Sequence, residues 1–189
     1  MNKKITIGGI GSVLLGDDGV GPYVVALLEA AYRFAGNVTV ADLGTPGLDL
    51  VAHLSGIDAL ILIDSVANGA TPGTVTLYRK EDILRHGPAP VRMDPHSPAL
   101  SESLLIAELA GEGPKDILLI GITGERYEVG AELTDAARQA AGVAVAQVLS
   151  EIGRLGASYS EMRSGLRSES FSTWWRPLAG ETPTQIPSR

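Results

Sequence analysis

The segment ALILIDSV at 59–66 constrains the fold more than any other stretch of the chain. Apart from Asp64 and Ser65 it is wholly apolar, whereas a strand with one wet face alternates apolar and polar residues. A strand covered on both faces belongs to a sheet sandwiched between helices, so 59–66 is expected at the sheet's centre. Strand-like and helix-like segments do alternate around it. KITIGGI at 4–10 reads as a strand, with a helix that Pro22 could open running through VVALLEAAYRF. NVTVADL at 37–43 reads as a strand, and LDLVAHL at 48–54 as a short helix closed by Gly56.

GTVTLYRK at 73–80 alternates more and reads as an edge or antiparallel strand, followed by a helical turn from Glu81 to His86. The Pro-rich stretch GPAPVRMDPHSP is a loop. SESLLIAELA at 101–110 is a helix, DILLIGITG at 116–124 a strand, and Thr134 to Leu155 a long closing helix with Thr134 as its N-cap. The expectation is α/β: a single-domain three-layer α/β/α sandwich with a mostly parallel sheet, covering residues 1–156. After Gly156 the composition turns to Ser, Arg, Pro and Thr with Trp174 and Trp175, so 157–189 reads as a flexible tail. The two tryptophans could instead anchor a docking segment.

Composition narrows the chemistry. A net charge of −7 disfavours nucleic acid as a partner, since that grip needs clustered Lys and Arg. The absence of cysteine excludes thiolate ligands, a cysteine nucleophile and disulfides. No run approaches the ~20 apolar residues that span a bilayer, and the opening MNKKITIGGIGS breaks as a strand and turn rather than as a signal peptide. Cytoplasmic location without membrane insertion is expected.

Loops at the carboxyl ends of the strands line the crevice of an open α/β sheet, and several polar residues fall there. Asp17 and Asp18 follow the first strand, Asp42 ends the second, Asp64 lies near the end of the third, and His96 precedes a helix. Asp64 emerges from Leu60, Ile61, Leu62 and Ile63, where a carboxylate needs a hydrogen bond, a partner or a cation. It could equally cap a helix or bond turn amides. Asp17 and Asp18 could serve a helix N-terminus or a turn. His96 alone could be a surface loop residue, and His53 and His86 compete with it. Two aspartates and a histidine would suit a borderline divalent ion such as nickel, zinc or iron. The dinucleotide fingerprint fails at Leu14, and Walker, HExxH and GxSxG signatures are missing, so no organic cofactor is expected.

The segment GIGSVLLGDDGVGP resembles the opening of the nickel-iron hydrogenase maturation endopeptidases. ADLGTPG at 41–47, LILIDSV at 60–66 and DPHSPALSESL at 94–104 resemble three further segments of that family, in order, within roughly residues 4–150. Ser12 stands where asparagine is common in the family. The resemblance implies an α/β protease that removes a C-terminal peptide from the hydrogenase large-subunit precursor after nickel insertion. It also implies metal ligands at Asp18, Asp64 and His96, with nickel supplied by the substrate rather than resident. No nucleophile is assigned. Asp42 is a second-rank candidate for positioning water or peptide, or for ordering the glycine loop, where Gly44 and Gly47 would admit substrate closely. The alternatives are a non-catalytic factor that binds nickel or the hydrogenase subunit, and a different hydrolase or transferase. A monomer is expected.

Overall fold

Every second residue of the 59–66 segment faces the same way, and both sides are covered. In a computed structural model that describes residues 3–86 and 99–162, the segment is strand β4 (Ala59–Val66), third of five in the sheet. Ile61 and Ile63 enter one core with helices α1 (Val20–Ala31) and α5 (Asp135–Arg154), while Leu60 and Leu62 enter a second with α2 (Leu50–Leu54), α3 (Lys80–His86) and α4 (Ala99–Leu109). Each such fully buried Ile or Leu stabilises the fold by about 1.5 to 3 kcal/mol. Residue alternation is thus preserved, but between two dry faces.

The strands are β1 (Ile5–Ile10), β3 (Val38–Gly44), β4, β5 (Val75–Arg79) and β6 (Asp116–Thr123), in the order β3-β1-β4-β6-β5. All pair in parallel except β5, which runs antiparallel to β6 at the edge, as its alternating sequence suggested. Helix α5 packs closely because Ala137, Ala140, Ala141 and Ala144 form its buried stripe. No helix among the described residues is long and apolar enough to cross a membrane.

Two segments depart from the sequence expectation. The helix expected through Phe34 stops at Ala31, and Tyr32–Phe34 forms a strand, β2, paired antiparallel with β7 (Tyr159–Glu161). The reason is packing across distant residues: the Tyr32 and Tyr159 rings meet edge to face at 5.6 Å, and Phe34 lies 6.1 Å from Tyr159. Residues 159–161, grouped by composition with the tail, therefore form a strand, while 163–189 with Trp174 and Trp175 lie outside the described residues. Helix α1 also opens earlier than Pro22, at Val20, and Pro22 remains in the first turn where no intrahelical donor is needed.

Candidate active site at the carboxyl ends of the strands

Glycines bring the first aspartates against the sheet. A β-carbon on Gly9 would fall 2.4 Å from the Gly21 carbonyl oxygen, one on Gly21 2.2 Å from that of Ile10, and one on Gly11 1.9 Å from that of Asp18. Any side chain at these three positions would push the start of α1 away from β1 and β4. The 3-10 turn Gly16–Gly19, which carries Asp17 and Asp18, consequently touches β4, the strand that carries Asp64.

The two adjacent aspartates have different surroundings. Asp17 is fully buried, and its carboxylate accepts hydrogen bonds from the amides of Glu125 (2.8 Å), Arg126 (3.2 Å) and Thr134 (2.7 Å) and from the Thr134 hydroxyl (3.0 Å). It fastens the 124–134 loop, which follows β6, and positions Thr134, whose hydroxyl in turn accepts the Ala137 amide as the N-cap of α5. Asp18 is half-buried and accepts the Ser12 amide at 2.7 Å. Ser12 itself accepts the Leu14 amide through its hydroxyl at 3.3 Å, closing the turn.

Asp64 is half-buried at the end of β4, and its carboxylate accepts the amide of Ser65 at 2.7 Å. Asp42, at the end of β3, is exposed and accepts the Gly44 amide at 2.8 Å, while the Gly44 carbonyl accepts the Gly11 amide. That hydrogen bond orders the glycine loop, in which Gly44 and Gly47 take left-handed backbone at φ +57° and +53°. His96 lies outside the described residues, and His53 is exposed on α2. Among the described residues no three His, Asp or Glu side chains gather in a metal-holding cluster.

Two residues that sequence reading passed over belong to this edge of the sheet. The Tyr127 hydroxyl lies 2.8 Å from the Ser65 hydroxyl, and Ser65 is buried next to Asp64. Burial pushes the Tyr127 phenol above its ordinary range; the hydrogen bond with Ser65 opposes this, and the nearby Asp17 and Asp18 charges reinforce it. The phenol is therefore protonated at neutral pH. The signal available in the sequence was position alone, since Tyr127 follows the strand 116–124 and so falls among the crevice loops.

Residues 22–151 match the family model HycI, described as hydrogenase maturation protease. The chain belongs to the hydrogenase maturation proteases. The match takes in Asp42, Asp64, His96 and Tyr127 but begins after Asp18. Among its relatives, the hydrogenase 2 maturation protease of Escherichia coli K12 is 30% identical over 156 residues, covering 81% of this chain and 93% of that one. HoxM of Azotobacter vinelandii, a hydrogenase expression/formation protein, is 38% identical over 125 residues, and the aligned part spans 66% of this chain and 60% of HoxM. The fold matches the hydrogenase maturating endopeptidase HybD from E. coli with a TM-score of 0.78 at 29% identity, covering 84% of this chain and 97% of HybD.

Proposed function

We propose that this protein is an endopeptidase that trims a C-terminal peptide from the large-subunit precursor of a nickel-iron hydrogenase in the cytoplasm, after the precursor has received its nickel. The observation that carries the reading is the contact between the Asp17-Asp18 turn and β4, which sets two half-buried carboxylates at the carboxyl ends of neighbouring strands in a chain of this family. His96 is the proposed third ligand. Support comes from the helix that begins three residues after it: α4 packs against the 3-10 turn Gly47–Asp49 that follows β3.

Nickel enters here as part of the substrate. Two carboxylates and an imidazole are competent donors for such an ion, and few enough to leave positions for the precursor's own ligands. A divalent ion so placed can polarise a peptide carbonyl or lower the pKa of water. This chain's own contribution is orientation: the Ser12 amide holds Asp18, the Ser65 amide holds Asp64, and Asp42 shapes the adjoining glycine loop. No side-chain nucleophile is assigned.

The test is incubation of purified protein with nickel-loaded precursor, followed by intact mass. Loss of a C-terminal peptide is expected, with nickel-free precursor left intact. Asp18→Ala, Asp64→Ala and His96→Ala should each lower processing on the order of 100-fold or more while melting temperature stays near wild type. Precursor that binds with unchanged mass would make the protein a non-catalytic maturation factor instead.

A further inference from the structure

The 124–134 loop is tied to both proposed carboxylate positions. At one side Asp17, the neighbour of Asp18, takes the amides of Glu125, Arg126 and Thr134. The Asp17 amide returns a hydrogen bond to the Arg126 carbonyl at 2.8 Å, and the Gly130 amide donates to the Leu14 carbonyl at 2.8 Å. At the other side Tyr127 meets Ser65, whose amide holds Asp64. Glycine is required where the loop leaves β6: a β-carbon on Gly124 would fall 2.5 Å from the Tyr127 hydroxyl and 2.9 Å from the Asp17 β-carbon. The phenol is thus wedged between the turn after β1 and the end of β4.

We propose that Tyr127 is a positioning residue, and that the loop carrying it is a bracket that fixes the Asp64 carboxylate relative to Asp18 through the hydroxyl contact with Ser65. This rests on the assignment of Asp18 and Asp64 to the precursor's metal. Tyr127 does not touch the reacting atoms in this scheme. It holds Ser65, and Ser65 holds Asp64. Ser65 is one step removed from the proposed ligand, and partners so placed commonly matter about 10- to 100-fold in metal affinity or rate; Tyr127 stands one step behind it, so the lower end of that range is expected.

The variant is Tyr127→Phe, which removes only the hydroxyl, with Ser65→Ala as the second arm. Three readouts are taken on the full chain: hydrogen exchange of the Ser65 amide, affinity for Ni²⁺ added alone, and the rate of precursor trimming. Tyr127→Phe should speed Ser65 exchange on the order of 10-fold while the Glu125, Arg126 and Thr134 amides keep their protection. Nickel affinity and trimming rate should each fall about 10-fold. The double variant should be no worse than the worse single one, because both remove one link. Wild-type exchange at Ser65 together with wild-type trimming overturns the bracket while leaving the protease reading intact. A fall in trimming matched by equal loss of protection throughout the fold also overturns it, since that is general destabilisation. Wild-type protein that fails to trim overturns the protease reading, and the Ser65 exchange result then decides the link by itself.

Discussion

Asp17 and Glu151 are buried carboxylates at opposite ends of the same helix, and they are satisfied by different means. Asp17 sits at the N-terminus of α5, where three amides and a hydroxyl surround it. Glu151 lies in the last turn, 4% exposed, where Arg79 meets it at 2.6 and 3.0 Å and Arg154 at 2.7 and 2.9 Å. The helix dipole accounts for the difference. Its positive end favours an anion, so backbone donors suffice for Asp17, whereas its negative end disfavours one and Glu151 needs guanidinium groups. The comparison also separates two uses of charge: one end organises the loop beside the candidate site, and the other latches β5, β6 and α5 together.

The largest effect should come from Asp17→Ala. It would leave three amides and the Thr134 hydroxyl without their acceptor, and buried donors left unmade cost about 1 to 3 kcal/mol each, less where water reaches them. A loss on the order of 3 kcal/mol or more is expected from urea denaturation. Asp17→Asn should lose less, because its amide oxygen can still serve one set of donors while its NH₂ group opposes the other. If the two variants were equally mild, amide cradling of Asp17 would not be what holds the loop.

Acid should act on the other end of the helix. Burial raises the Glu151 pKa, but hydrogen bonds from Arg154 and Arg79 outweigh it and hold the group below its ordinary 4.5. Asp116 is held below its ordinary 3.8 by Arg154, against burial and with further help from Lys3. Because both folded pKa values are depressed, this stabilisation is complete above the unfolded values and is lost as pH falls through them toward the folded ones. Unfolding free energy measured from about pH 6 to pH 3 should fall, and Glu151→Gln should flatten part of that limb. At neutral pH the same variant should cost about 1 to 2 kcal/mol, well under the cost of stranding a fully buried partner, since Arg79 and Arg154 are 42% and 47% exposed. An acid limb unchanged in Glu151→Gln would remove Glu151 from the latch.

The two ends were unequally legible in the sequence. The central strand, the antiparallel edge, the long closing helix and its Thr134 cap follow from apolar patterning and local chemistry, so each could be read from neighbouring residues alone. The pairing of β2 with β7 could not, because Tyr32 and Tyr159 are joined by ring packing across most of the chain. Tyr127 was missed for a related reason: its contact is with Ser65, and no local pattern marks a loop tyrosine as a neighbour of a strand serine. The resemblance set Asp18 apart from Asp17 as the expected ligand, but what Asp17 does instead was not legible, since it depends on the 124–134 amides that reach its carboxylate.

The smallest effect belongs to the outer member of the charged end. Lys3 reaches Asp116 at 3.0 Å, but both side chains are partly open to solvent, at 45% and 28%. Asp116 also keeps Arg154 at 2.8 Å when Lys3 is removed. Water screens the pair, and the long lysine side chain loses rotamer freedom in holding it, so Lys3→Ala should cost no more than about 0.5 kcal/mol. That difference should vanish in about 0.5 M salt, where the screening length is only a few ångströms. Asp17→Ala should show no comparable loss of effect under the same salt, because its carboxylate is buried and its donors are neutral amides and a hydroxyl. Equal salt sensitivity in the two variants would mean that Asp17 is held by the field of surrounding charges rather than by the loop it organises.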